Sequence, residues 1–460
     1  MPGHLDKAGR VAWSKERTGL PPFPHAASPG VPRIMRSPRD RPTRARHVVI
    51  LFAVGLAIIT YVQRVAISQA APLMQQDLGL TKIQMGLVFS AFSLTYALFE
   101  IPWGFAGDRW GARKVVTGIV TAWSLFTAAT GWAWNLAALV GARGLFGMFQ
   151  AGCFPNIARM FANWLPTSER VRAQGIMWLS ARWGGAFAPL LVVLLLDYMS
   201  WRRAFEVFGL AGILWAVVFL WWFRDDPRDH PAVNEAELER IPSGAGVASG
   251  HGEIPWRRFL GSKAVWLLCG QYMCLNFGWQ FYVTWLPTYL VEARGVELHR
   301  SALLAGLPLF FGGLGSLACG FVSSLLDRLT GNVKVARRLL TGAGFSGAAV
   351  CFVLSIHIQS PAWAMVALGV ASFSNDLVMP PSWATCMDIG GRLCGTLAGT
   401  MNMMGGFVAA MAPAVVALIL QRTNDNWAIT FYLSAAIYFM GTFFWLALDP
   451  TEPIDAGAET

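Results

Sequence analysis

One pattern recurs twelve times along this chain: a run of about twenty mostly apolar residues closed by a short charged turn. The runs occupy residues 47–70, 83–106, 115–134, 136–163, 171–196, 203–223, 264–291, 301–326, 339–357, 361–388, 393–421 and 428–448. At 1.5 Å of rise per residue, roughly twenty helical residues cross a bilayer core. That core holds no water for the backbone, so only helices or closed barrels span it. Runs of this length without strand alternation predict helices. The expected fold is therefore an all-α membrane protein with twelve transmembrane helices in two six-helix bundles. Charged residues make up 13% of the chain, about half the share of a soluble domain. This excludes a disordered chain and an ordinary cytosolic enzyme.

The longest polar interruption, 224–263, divides the runs six and six. The expected organisation is a basic tail over 1–46, an N-terminal bundle over 47–223, a cytoplasmic linker over 224–263, a C-terminal bundle over 264–448 and a short tail over 449–460. The basic tail has no apolar core of the kind a cleaved signal carries. Met35 stands twelve residues before the first run and is the expected start, with 1–34 an upstream extension or disordered tail. With both termini placed in the cytoplasm, 27 of the 36 Lys and Arg fall on that side and six on the other. Such asymmetry sets orientation in a cell (inner) membrane. The net charge of +10 therefore marks topology, and no nucleic-acid partner is expected. The seven cysteines lie in or beside apolar runs with no CxxC pair or zinc spacing. No metal site or cofactor is expected, and the chain is expected to work as a monomer.

The halves resemble each other. Gly104-Phe-Ala-Gly-Asp108-Arg109 closes the second run, and Gly320-Phe-Val-Ser-Ser324-Leu-Leu-Asp327-Arg328 closes the eighth. A Gly-Gly followed by Ala-Pro recurs in the fifth run (Gly184, Gly185, Ala188, Pro189) and the eleventh (Gly405, Gly406, Ala412, Pro413). Related bundles place a substrate site at their interface, and rocking between them gives alternating access. The turn Gly104–Lys114 reads as a gating loop of Gly104, Asp108, Arg109, Gly111, Arg113 and Lys114. Its glycines let helices approach closely, and Asp108 suits a cation or a helix N-terminus of the opposite bundle. This turn resembles the signature loop of the major facilitator superfamily. At the matching place in the second half stands Ser324, with Asp327 three residues on, so a second latch is expected to be weaker or displaced.

Three arginines lie inside the apolar runs: Arg64, Arg143 and Arg182. Intramembrane charge is costly and marks function by default. Guanidinium forks grip carboxylates, so Arg64 and Arg143 are expected to bind an anion; Arg182, nearer the midplane, fits either an anion or a structural contact. Tyr61 shares a helix face with Arg64. Tyr96, Gln280, Tyr282, Ser382, Trp383 and Asn402 are further intramembrane groups able to meet a polar substrate. Stretches around Tyr61–Ser68, Leu94–Pro102, Arg143–Asn156, Thr284–Leu290 and Gly399–Met403 resemble the anion:cation symporter family, which includes bacterial galactonate, hexuronate and glucarate carriers, animal vesicular glutamate transporters and sialin. The resemblance implies an organic anion, chiefly a carboxylate such as a sugar acid, as substrate, and favours Tyr61, Tyr96 and Asn402 as binding residues.

Two positions depart from that pattern. In proton-coupled members an acidic residue commonly precedes the first arginine, and another follows the second by seven. Here they are Gln63 and Gln150, which sit among the expected binding residues. An amide cannot carry a proton in any accessible pH range. Coupling is then lost, giving uniport or exchange, or relocated to a buried carboxylate. Glu100 and Asp376 are the candidates, about 12 and 18 Å into the membrane from Asp108 and Asp388. A proton or cation remains a candidate co-substrate. An organophosphate:phosphate exchanger of the same fold is the main alternative. The seventh run, with no Lys or Arg before Arg294, speaks against it. A non-transporting sensor would need a partner-binding extension. An enzyme would need a nucleophile–base pair, and none is visible.

Overall fold

The computed structural model describes residues 41–241 and 256–454. The expected start at Met35 lies outside the described residues. The chain divides into two units, Met1–Arg41 and Pro42–Thr460, and the second carries everything that follows. Its long helices are α1 (Ala45–Leu78), α2 (Lys82–Trp110), α3 (Ala112–Gly131), α4 (Leu136–Gln150 continued by Cys153–Trp164), α5 (Thr167–Tyr198) and α6 (Trp201–Trp222) in the first half. The second half has α7 (Lys263–Thr284, continued by Leu286–Glu292), α8 (Leu298–Thr330), α9 (Val333–His357), α10 (Pro361–Ile389), α11 (Cys394–Arg422) and α12 (Trp427–Ala447).

Ten of the twelve are long and apolar enough to cross a membrane; α3 and α7 are too polar for that measure. In α3, Thr127 and Thr130 donate to the carbonyls of Trp123 and Phe126, each at 2.9 Å, while Trp123 Nε1 and Ser124 Oγ are buried with no hydrogen-bond partner among the described residues. In α7 the polar positions Gln271 and Tyr272 are buried in the protein. Both mid-run breaks have a local cause. Pro155 and Pro287 lack the N–H that would continue the helical ladder. At Gly152 a Cβ would also meet the Trp103 Cβ at 2.7 Å.

The internal repeat is visible in the packing. The first half pairs α1 with α5, α2 with α4 and α3 with α6. The second half repeats this with α7 and α11, α8 and α10, α9 and α12. The halves meet through α2 with α11 and α5 with α8, two contacts that a two-fold exchange of the bundles interconverts. Glycines make both contacts close. A Cβ on Gly104 would lie 2.2 Å from the Gly395 carbonyl oxygen, and one on Gly175 would lie 2.3 Å from that of Ser316.

The end carrying both tails is knitted by ion pairs. Arg46 binds Glu169 at 2.8 Å and Glu237 of the linker at 2.9 Å. Asp388, at the end of α10, joins Arg170 of α5 at 2.5 Å and Arg337 of α9. Lys334 binds Asp449 of the tail at 2.5 Å.

Candidate functional site

The first bundle holds two arginines in an aromatic setting. On α1, Tyr61 and Arg64 lie one turn apart, and the Arg64 guanidinium sits 5.4, 5.3 and 4.6 Å from the ring centres of Tyr61, Phe92 and Tyr96. Its Nε donates to Gln150 Oε1 at 3.0 Å, and the Gln150 amide donates to the Thr60 carbonyl at 3.3 Å. Arg143 on α4 lies 4.0 Å from the Phe146 ring centre and 5.4 Å from that of Phe92. It is 1% exposed. Its Nε and Nη1, and the Nη2 of Arg64, are buried without a hydrogen-bond partner among the described residues. Orphaned guanidinium donors are costly in a dry setting, so they mark a place where an acceptor belongs.

Gln63 does not join this cluster. Its amide donates to the Phe208 carbonyl of α6 at 2.6 Å. Neighbouring helical residues point about 100° apart, so Gln63 and Arg64 cannot share a face.

The second bundle faces the cluster through a chain of polar contacts. Glu100 accepts from Asn402 Nδ2 at 2.5 Å, linking α2 to α11. The Tyr272 hydroxyl donates to Asn402 Oδ1 at 3.2 Å, and the Trp383 indole donates to Tyr272 at 3.2 Å. Below them Phe154 stacks on Trp178 at 4.8 Å, and Trp178 lies 5.6 Å from Trp383, forming an aromatic layer that spans both halves. Tyr61 touches it at Phe154.

Arg182 is not an open guanidinium. It grips Asp376 bidentately, Nε at 2.9 Å and Nη2 at 3.0 Å, across α5 and α10. Ser316 and Asn375 donate to the same carboxylate at 3.2 and 2.8 Å, and Tyr438 donates to Asn375. The Trp279 ring centre lies 3.3 Å from the guanidinium.

Three further expected residues fall elsewhere. Ser382 bonds Gln271 at 3.1 Å and the Val378 carbonyl inside the second bundle, because that face of α10 turns toward α7 and away from α1. Gln280 donates to Thr284, one turn along its own helix, at 2.7 Å. Tyr282 packs among Trp279 and Phe352. Sequence reasoning passed over Phe92, Tyr272, Trp178 and Trp279. Tyr272 had a signal: with Asn276 it forms a polar pair one turn apart inside an apolar run, and Asn276 donates to the Tyr272 carbonyl.

At the tail-bearing end, Asp108 accepts from Gly395 N at 2.8 Å, Thr396 N at 2.7 Å and Thr396 Oγ1 at 2.8 Å. These are the first residues of α11, where the unpaired N–H groups and the helix dipole favour an anion. Arg159 lies 3.8 Å from Asp108 and donates to the Gly391 carbonyl at 3.0 Å. Gly111 has φ +85°, and a Cβ there would stand 2.6 Å from Asp225 Oδ2. Asp225 accepts from Arg113 N at 2.9 Å, while burial pushes its carboxyl up. The Arg113 guanidinium holds the Leu220 carbonyl, so Arg113 serves its own bundle. Arg109 and Lys114 line a cavity of about 620 Å³ beside them. In the second half Ser324 only bonds its own helix at the Gly320 carbonyl. The counterpart crossing between halves is the Arg170–Asp388 pair.

The model of the Major Facilitator Superfamily matches residues 53–413. The chain belongs to this superfamily. Among similar proteins, a probable sulfoacetate transporter of Cupriavidus necator is 33% identical over 418 residues, covering 90% of this chain and 96% of that one. A D-galactonate transporter of Escherichia coli is 29% identical, covering 86% and 94%. A hexuronate transporter of Bacillus subtilis is also 29% identical, covering 82% and 88%. The solved proton:xylose symporter XylE, bound to 6-bromo-6-deoxy-D-glucose, overlays with a TM-score of 0.66 at 12% identity, over 87% of this chain and 95% of that one. This facilitator shares that fold.

Proposed function

We propose that this facilitator is a secondary carrier of a small organic anion, a sugar acid or other carboxylate, working by alternating access in a cell membrane. The observation that carries the reading is the pair of intramembrane arginines, part-buried Arg64 and buried Arg143, each with buried donors unmet inside the first bundle. A carboxylate supplies acceptors in the geometry a guanidinium fork prefers. Tyr61 and Tyr96 flank it, and Asn402, Tyr272 and Trp383 close the site from the second bundle. The relatives named for sulfoacetate, galactonate and hexuronate all handle organic anions, which supports this class.

In this reading both termini are cytoplasmic, which the Lys/Arg asymmetry supports. Asp108 on the α11 N-terminus and Arg170 on Asp388 hold the cytoplasmic side shut, and both contacts break when the bundles rock. One copy of the chain supplies both halves of the site, so the carrier acts as a monomer. The protein has no catalytic role. Gln150 meets Arg64 as a neutral amide, so the usual proton-coupling pair is missing and transport runs as uniport or exchange. A second reading has one specific support: Glu100 Oε2 is buried without a partner, which leaves a carboxylate able to take a proton beside the site. Asp376, bonded by Arg182, Ser316 and Asn375, has less room for that role.

A thermal-shift panel tests the class, since a ligand that binds only the folded state raises its melting point. Carboxylates are expected to stabilise the purified protein, and neutral sugars and cations are not. Stabilisation by cations or neutral sugars with none by acids would overturn the reading.

A further inference from the structure

Among the described residues, five buried arginines meet a carboxylate: Arg46, Arg159, Arg170, Arg182 and Arg337. Arg64 and Arg143 do not, and each keeps at least one buried N–H group with no acceptor. The two are separate side chains on different helices, so the unmet donors point from two places. Both guanidiniums lie within 5.4 Å of the same Phe92 ring centre. The two guanidiniums therefore stand no more than about 11 Å apart, a span that one small molecule with two acceptor groups can bridge.

The groups around them add no negative charge at the forks. Gln150 answers Arg64 with an amide oxygen. Tyr61, Phe92 and Phe146 present rings, and Tyr96 presents a ring and a neutral hydroxyl beside Arg64. The nearest acid on α2, Glu100, stands one turn beyond Tyr96 and gives one oxygen to Asn402 of the opposite bundle. Like charges held together in a dry cluster repel, and two forks need two acceptors. A molecule with a single carboxylate satisfies one of them and leaves the buried N–H groups of the other guanidinium unmet, which is the costly arrangement.

We infer that the substrate carries two anionic groups, one for Arg64 and one for Arg143: two carboxylates, or a carboxylate and a sulfonate, joined by a short linker. The inference rests on the anion-carrier reading and sharpens it to a valence.

Shape-matched pairs that differ by one charge test it. Succinate against succinamate, sulfoacetate against methylsulfonylacetate, and galactarate against galactonate are titrated into the purified full chain at pH 7.5. For the pair whose length fits, the dianion is expected to bind roughly tenfold or more tightly than its monoanion, the scale of one charged hydrogen-bonded contact. Gln150→Glu places a carboxylate, ionised at the pH of this titration, beside Arg64 and is expected to narrow that ratio by roughly tenfold. Arg143→Gln, whose folding is checked by its melting point without ligand, is expected to bind both members of the pair equally. Monoanions that bind as tightly as their dianions would overturn the two-charge inference and leave the anion-carrier reading standing. No binding by any member of any pair would overturn both.

Discussion

Removing the charge of Asp108 is expected to release the contact between α2 and the start of α11. The Asp108 carboxylate takes three donors there, all within 2.8 Å. A hydrogen bond to a charged group is worth about 1.5–3 kcal/mol, and an anion at a helix N-terminus adds up to ~1 kcal/mol. The three bonds share one carboxylate, and asparagine keeps one acceptor, so the losses do not sum. A net loss of about 3 kcal/mol for Asp108→Asn is a reasonable scale, equivalent to roughly a hundredfold shift between access states. The protein carries its own reporter. Cys394, the first residue of α11, is fully buried beside the latch. In a variant that keeps Cys394 and replaces the other six cysteines, maleimide labelling tracks the population in which the latch is open. Asp108→Asn is expected to speed that labelling by up to about a hundredfold. Asp226→Asn, which removes a charge but keeps an oxygen to cap Arg228 N, is expected to leave the rate unchanged. Equal labelling of the Asp108 variant and its parent would refute the latch.

Asp376→Asn is expected to lower the melting point strongly, because it strands the Arg182 charge in the protein interior at a cost of about 3–5 kcal/mol. The double change Arg182→Met with Asp376→Leu recovers most of the loss, and a double variant as unstable as the single one contradicts this. Gln150→Glu restores a titratable group 3.0 Å from Arg64 Nε and is expected to make uptake respond more strongly to an imposed pH gradient. An unchanged response in that variant argues that coupling does not pass through this position. Lys334 and Thr451 hold the Asp449 carboxyl down to about 2, below its ordinary 3.8. The contact therefore stabilises above about pH 4 and is lost as pH falls through about 2, so melting curves of the parent and Asp449→Asn should differ at pH 6 and converge near pH 2.

The helices were legible because bilayer thickness fixes the length of an apolar run, and the repeat because matching glycine-led turns close the second and eighth runs at Gly104 and Gly320 and a Gly-Gly with Ala-Pro recurs at Gly184 and Gly405. Their ends were not. α1 continues past residue 70 to Leu78 and α8 past residue 326 to Thr330, because polar residues extend a helix beyond the membrane without any change in hydropathy to mark its end. Arg64 and Arg143 were legible as intramembrane charges. Periodicity gives the face of a helix but not its rotation against the other bundle. Gln63 thus turned out to face α6, Ser382 to face α7, and Arg182 to meet an acid 194 residues away. The aromatic layer of Phe154, Trp178 and Trp383 was hidden for another reason. Aromatic residues are spread through nearly all segments of this chain, so no single one stands out.

Uptake of a labelled organic dianion into liposomes containing the purified protein tests the central claim most directly. The account predicts saturable uptake by the parent protein that is lost in Arg64→Gln and in Arg143→Gln, while both variants keep the parent's fold by circular dichroism. Undiminished anion uptake in both variants, or saturable uptake of a cation or neutral sugar in place of any anion, would contradict it.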